Sequence, residues 1–489
     1  MQSKREDPAV RRLVNAVLVP GFVGTSAPDW LVRELENGLG GVCWFAHNLS
    51  GGGGTRALAD EIHAVAGNAL VWCDEEGGAV SRLDAATGSP WPGHAALGQL
   101  DDIYATRTVA TGIGRTARDA GVDVVLSPVV DVNSDPTNPV IGVRSFGDDA
   151  DLVARHGVAF IDGLQSVGVA ACAKHFPGHG ATQVDSHLGL PTVAAERDVL
   201  RDRELAPFAA AAEAGVRCIM TAHVVFPAVD DEPATMSSAW MRLLRDEIGF
   251  EGVVGTDALD MHAISGGVGR PEGAVRALAA GVDAVCIGNP SYPEAYDDVT
   301  ALQDVRSAIF DAMDEGRIDV GRVEQAAERL ADLASWRQHA ADGASEVPRD
   351  GVDIARRAVR SEGMVALTGS PLVLVHTKTS IAAGNVRFPL ARYLSDGIED
   401  VACSEVGSAE DALREIDRHG GKPVVVVTDG RAGTEVVDAV RGTEPSAVVV
   451  HTGPIGTSDG VAAPIIHTWG GGAASAQAAA ELIVKGGLG

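Results

Sequence analysis

Eight short apolar runs, separated by helix-like stretches, constrain this chain more than any other feature. They are Leu13 to Val19, Gly41 to Phe45, Ala69 to Cys73, Val122 to Leu126, Val167 to Ala173, Val216 to Met220, Gly252 to Gly255 and Val282 to Ile287. Several lack polar alternation, as expected of parallel strands covered on both faces. Stretches between them, such as Asp198 to Ala214 and Arg270 to Ala280, are rich in Ala, Leu, Glu and Arg. Eight alternating units ending near residue 290 predict an α/β fold, a (β/α)₈ TIM barrel. An open doubly wound sheet is the competing architecture, but no glycine fingerprint accompanies the units.

The chain of 489 residues is longer than one such barrel. Helical pattern continues from Ala301 to Arg337, and Gly, Ser and Pro then gather from Gln338 to Asp350. The expected organisation is a catalytic barrel over 1–337, a linker over 338–350 and a smaller C-terminal α/β sandwich domain over 351–489. In the last part, Val352 to Arg360 reads as a helix. Apolar runs follow at Met364 to Leu367, Leu372 to His376, Pro423 to Thr428, Ala447 to His451 and Ala463 to His467, then an Ala-rich helix from Ala473 to Val484. Gly51 to Gly54 reads as a flexible loop, since no Gly-Lys-Ser/Thr follows it, and Gly470 to Gly472 as a tight turn.

A net charge of −28, from 67 acidic against 39 basic side chains, argues against nucleic acid or an anionic membrane as partner. No run approaches the roughly 18 apolar residues of a membrane span, and the first apolar run lacks a cleavage-like small-residue site. None of the six cysteines forms a C-x-x-C pair, so neither a zinc knuckle nor a disulfide framework is indicated. These features predict a soluble cytoplasmic protein.

In a barrel, chemistry sits at the carboxyl ends of the strands. The residues following the runs suit that role. Asp74-Glu75-Glu76-Gly77-Gly78 follows the third, Asp131, Asn133 and Arg144 the fourth, Lys174 and His175 the fifth, His223 the sixth, Asp257 the seventh and Asn289 the eighth. Densest of all is Lys174-His175-Phe176-Pro177-Gly178-His179-Gly180-Ala181-Thr182-Gln183-Val184-Asp185-Ser186-His187. Its proline and glycines predict a shaped loop rather than a helix or strand.

Asp185 and His187 stand two apart on that loop. An aspartate bonded to one imidazole nitrogen fixes the tautomer and frees the other nitrogen to exchange a proton. His175-x-x-x-His179 also has metal-ligand spacing, but Pro177-Gly178 prevents the pair from sharing a helical face. Asp257 alone, after a strand, reads first as a helix N-cap.

Taken together, Lys174 to Gly180, Thr182 and Asp185-Ser186-His187 resemble the signature loop of glycoside hydrolase family 3 β-N-acetylglucosaminidases. The resemblance extends over Asp74 to Gly78, Ile141 to Gly147, Met220 to His223 and Met236 to Met261. It implies a retaining exo-β-N-acetylglucosaminidase acting on peptidoglycan fragments or chitin oligosaccharides, with a small carbohydrate as its partner and no metal or organic cofactor. By position it assigns Asp257 as nucleophile, His187 as general acid/base and Asp185 as its partner. Asp74, Arg144, Lys174, His175 and His223 fall at sugar-binding or site-lining positions. Ala181 and Ala258 depart from residues common in relatives. A phosphorylase, with phosphate as acceptor, is the close alternative, and a non-catalytic sugar-binding protein the distant one.

Overall fold

The computed structural model describes residues 4–49, 53–340, 349–377, 388–430, 434–454, 457 and 461–485. Eight short parallel strands form the first part: β1 (Leu18–Pro20), β2 (Gly41–Trp44), β3 (Leu70–Cys73), β4 (Val124–Val125), β5 (Ala170–Phe176), β6 (Cys218–Thr221), β7 (Val253–Thr256) and β8 (Val285–Gly288). Strands β2 to β7 pair in chain order in one curled six-stranded sheet, and β8 pairs with β1. A bridge between Gly255 and Ala284 carries the pairing from β7 to the residues entering β8. On the opposite flank the Gly40 N–H donates to the Asn15 carbonyl, just ahead of β2 and β1. All residues of β1 to β7 are buried, which explains their unbroken apolar runs.

The first apolar run divides differently from the expectation of a single strand. Asp7 caps a helix over Pro8–Ala16, with Val10 and Val14 buried one turn apart, and only Leu18–Pro20 is extended. Proline at the first helical position and an aspartate cap outweigh the local apolar content. Of the glycine run, 51 and 52 lie outside the described residues, whereas Gly53 and Gly54 open the helix Gly53–Val65 rather than a loop. Strand β5 continues three residues past its apolar run and takes in Lys174, His175 and Phe176, so the expected loop begins at Pro177.

The helix expected to stop at Arg337 runs to His339, and 341–348 of the expected linker lie outside the described residues. Beyond it come β9 (Arg360–Glu362), β10 (Leu372–His376), β11 (Ala402–Glu405), β12 (Val424–Thr428), β13 (Val448–His451) and β14 (Ile465–His467). They pair in the order β9-β14-β13-β12-β10-β11, all parallel except β9. The edge strand is therefore Arg360–Glu362, and the apolar run Met364 to Leu367 is not a strand. Val373, Val425, Val427 and Ile466 pack on one face with the helix Ala473–Lys485, while Leu374, Val426 and Val449 pack on the other with Ala412 and Val440. No helix among the described residues is long and apolar enough to cross a membrane.

One buried carboxylate ties the last strand to its neighbours. Asp283 accepts bonds from Arg245 and Arg322 at 2.6 Å each, from Arg329 at 3.1 Å and from the Val254 N–H at 3.0 Å. Burial brings the Arg245 guanidinium down to about 10, against the pull of Asp283. Removing a buried partner leaves its counter-charges uncompensated. Asp283→Ala is expected to destabilise the chain by about 3–5 kcal/mol, read as a lower urea midpoint at pH 7.

Candidate active site

The carboxyl ends of the strands surround a cavity of about 610 Å³, lined among others by Asp74, Arg144, Lys174, His175, His187 and Asp257. At its base is a buried ionic network. Glu76 accepts two bonds from Arg144, at 3.0 Å from Nε and 2.8 Å from Nη2, and Lys174 Nζ lies 2.8 Å from the same carboxylate. Asp74 bridges Lys174 at 2.7 Å and Arg82 at 3.1 Å. Burial alone would raise the Asp74 carboxyl, but Lys174 and Arg82 outweigh it and hold it at about 2. Glu76 is likewise held well below the carboxylate range, burial being outweighed by Arg144 and Lys174.

Glu75, between them, faces the other way. It accepts the Arg82 and Leu83 N–H groups at 3.0 Å each, and burial pushes its carboxyl up to about 8. Arg82 escaped the sequence reading, and Glu76 was named after the third run without a role of its own. Alternation in an extended segment puts residues 74 and 76 on one side, and that period was the available signal for Glu76.

The histidines hang on a second buried carboxylate, Asp131. It accepts the His175 and His179 N–H groups at 3.1 and 2.8 Å through one oxygen and His175 Nδ1–H at 2.7 Å through the other. His175 Nε2 is thereby left as an acceptor, 3.4 Å from Arg144 Nη2. Both the Lys174–His175 and Phe176–Pro177 peptide bonds are cis. Gly180 then passes so close beneath that a Cβ there would lie 1.8 Å from the Val132 carbonyl oxygen. His179 closes the loop upon itself, with Nδ1 2.8 Å from the Thr182 hydroxyl and Nε2 2.9 Å from that of Ser186. Farther along, Asp185 Oδ1 accepts His187 Nδ1–H at 2.7 Å and the His187 backbone N–H at 2.9 Å. Burial would raise Asp185, but the bond and charge of His187 bring it below the ordinary range. His187 Nε2 has no hydrogen-bond partner among the described residues and lines the cavity.

Asp257, at the end of β7, accepts only the Ala258 N–H, at 2.8 Å, and does not cap a helix: the next one begins at His262. Its carboxyl lies below the usual value because His175, His223, His187 and that N–H outweigh burial. A deep carboxylate held ionised, sharing a cavity with an Asp-anchored imidazole that has a free nitrogen, has the groups needed to attack an electrophilic carbon while a proton is delivered to a leaving group.

Residues 28–333 match the glycosyl hydrolase family 3 N terminal domain. The chain belongs to glycosyl hydrolase family 3. It is 34% identical over 327 residues to a β-hexosaminidase of Nitrosomonas eutropha, covering 65% of this chain and 91% of that one. It is also 34% identical over 319 residues to β-hexosaminidase A of Pseudoalteromonas piscicida, where 60% of this chain aligns. The aligned part spans only about half, 53%, of that relative's length. A family 3 β-N-acetylglucosaminidase from Paenibacillus sp. str. FPU-7 superimposes with a TM-score of 0.87 at 31% identity, over 98% of this chain and 97% of that one. These kinships place the protein among the glycoside hydrolases.

Of the expected residues, Asp185 and His223 do not line the cavity, Asp185 standing behind His187 and His223 elsewhere. His223 is fully buried behind Ala258, with Nε2 3.0 Å from the Ala258 carbonyl and Nδ1 2.8 Å from the Thr235 hydroxyl. Asp260 does line the cavity and was not singled out beforehand. It accepts the Asn289 N–H at 2.6 Å, and burial lifts its carboxyl to about 6.

Buried imidazoles around this site make the fold acid-sensitive. Burial lowers His94 to about 3 and, helped by His175, His179 to about 4, from 6.5. As pH falls below 6.5 the unfolded chain takes up protons that these folded rings refuse, so stability falls with pH until their folded values are reached. The urea midpoint is expected to drop from pH 6.5 towards 4, and His94→Gln to flatten that slope. An unchanged slope in the variant would assign the acid sensitivity to other groups.

Proposed function

We propose that the chain is a retaining exo-β-N-acetylglucosaminidase that releases terminal N-acetylglucosamine from peptidoglycan fragments or chitin oligosaccharides. The observation that carries this reading is the pairing, at one cavity, of the ionised Asp257 with the Asp185-anchored His187. Relatives named β-hexosaminidase and β-N-acetylglucosaminidase support the choice of sugar. In this reading Asp74, Arg144, Lys174 and His175 bind the sugar hydroxyls at the base. The Asp257 carboxylate attacks the anomeric carbon as His187 Nε2–H protonates the leaving oxygen, forming a covalent glycosyl-enzyme. The now neutral Nε2 takes a proton from water, which attacks the same carbon and frees Asp257. Asp185 holds Nδ1 throughout and stabilises the imidazolium.

Phosphate is the alternative acceptor. Against it, Lys174, Arg144 and Arg82 each already have a carboxylate partner, and Asp260 adds negative charge at neutral pH. A phosphate dianion entering there meets net repulsion, whereas water does not. We further propose that β1 to β8 close as a (β/α)₈ barrel over 1–337, followed by a separate α/β sandwich over 351–489. A cytoplasmic location is supported by the six cysteines, all free thiols.

Asp257→Ala is expected to abolish turnover of an aryl β-N-acetylglucosaminide, and a fluorinated substrate to leave its sugar on Asp257, located by mass spectrometry. A label on another residue would sink the assignment. His187→Ala is expected to slow substrates with poor leaving groups by about 10²–10⁴ while sparing good ones; equal losses would contradict its acid role. Stimulation by phosphate, with a sugar 1-phosphate as product, would replace hydrolysis by phosphorolysis.

A further inference from the structure

The turn Trp469-Gly470-Gly471-Gly472, between β14 and the closing helix, reaches across to the two segments that carry the buried Glu76–Arg144 pair. Trp469 is 9% exposed and packs with Ala95, Ala96 and Ala358 and against Val143. Val143 is the residue before Arg144, in the short helical turn Gly142–Arg144. Trp469 adopts a left-handed φ of 53°, and the His467 ring stacks on it at 5.0 Å. The Thr468 hydroxyl donates to the Gly470 carbonyl at 2.9 Å and so braces the turn from within.

At its other end the turn meets Gly78, two residues after Glu76. A Cβ on Gly472 would lie 2.8 Å from the Gly78 carbonyl oxygen and 3.2 Å from that of Ser89, and Gly472 has a φ of +100°. Backbone bonds fasten the contact: Ala473 N–H donates to Ser89 O and Gly78 N–H to Trp91 O, both at 2.8 Å. One short turn of the C-terminal part therefore meets the residue before Arg144 and the glycine two residues after Glu76, the two backbone segments from which the bidentate pair projects.

We infer that Trp469 and Gly472 are positioning residues, through which the C-terminal part sets the affinity of the sugar site without touching the sugar. Neither residue lines the cavity. The inference rests on the proposal that Arg144 and Lys174 grip the sugar. A displacement on the order of 1 Å in such groups changes binding and rate by large factors, so a remote side chain can be felt there. The dyad of Asp185 and His187 lies on a different loop and should not register the change.

The test uses the full chain and two variants, Gly472→Val and Trp469→Ala, with Trp469→Phe as the conservative control. Binding of N-acetylglucosamine is followed by calorimetry, and turnover of an aryl β-N-acetylglucosaminide is corrected for active enzyme by titration with the fluorinated substrate. Both variants are expected to weaken the Kd and raise KM by about tenfold, while kcat per active site on a good leaving group changes far less and the pH profile keeps its limbs. Trp469→Phe should keep wild-type affinity. If Gly472→Val yields no folded protein, Trp469→Ala alone decides. Variants that lose only active fraction, with Kd and KM unchanged per active site, would reduce the turn to a structural contact and overturn the inference. Wild-type protein that neither binds nor cleaves the sugar would overturn the functional reading first, and this inference with it.

Discussion

The pairing of Glu76 with Arg144 and Lys174 is the constraint on which the rest of the site depends. All three side chains are at most 8% exposed, and each on its own would be costly to bury. They come from three places in the chain: the segment after β3, the loop after β4 and the end of β5. None can be desolvated until the others arrive, so the network forms only when those strand ends are correctly placed. Asp74 and Arg82 extend it to the cavity wall, where the Asp74 carboxylate bridges Lys174 and Arg82. The groups that reach the cavity are thereby already charged and held in place by their ion pairs, which is what preorganised binding requires.

Asp131 does for the imidazoles what Glu76 does for the cations. By taking both His175 Nδ1–H and two backbone N–H groups it fixes ring, tautomer and loop path with one carboxylate. The loop then needs no regular secondary structure to be definite, and it can bring His187 over the cavity after a tight passage at Gly180. Glycosidases commonly place a second carboxylic acid where a proton must be delivered. On the proposed reading an imidazole backed by Asp185 takes that place, and it carries no negative charge of its own beside Asp257.

Much of this was legible beforehand because it lies in local signals. Each of the eight apolar runs overlaps its strand, though only three contain it whole, and Asp74, Arg144, Lys174, His175, His187 and Asp257 all line one cavity. What was not legible depends on contacts distant in sequence. Nothing near His223 reveals that its ring would be used by Ala258 and Thr235, and nothing near Asp131 that it would serve two histidines more than 40 residues away. The helix at Pro8–Ala16 was missed for the opposite reason: its capping signals, Asp7 and Pro8, are local, but only the apolar run from Leu13 was read. The edge strand Arg360–Glu362 has no buried residue, so hydrophobic pattern could not find it; its pairing with β14 is a backbone matter.

The distribution of charge around the cavity has a direction. At the base, three cations, Lys174, Arg144 and Arg82, face two carboxylates, Asp74 and Glu76. On the β7 and β8 side, Asp257 and Asp260 line the wall without a cation bonded to either. Cleavage of a glycoside builds positive charge at the anomeric carbon, and on the proposed reading an anionic wall on that side would stabilise the transition state more than the neutral substrate. Donors at the base suit hydroxyl oxygens, whose charge does not change. Asp257 is deeply buried, yet its surroundings, His175, His223, His187 and the Ala258 N–H, hold its carboxyl below the ordinary range. The buried His223 gives nothing to the cavity directly; its ring meets the Ala258 carbonyl, next to Asp257, and the Thr235 hydroxyl.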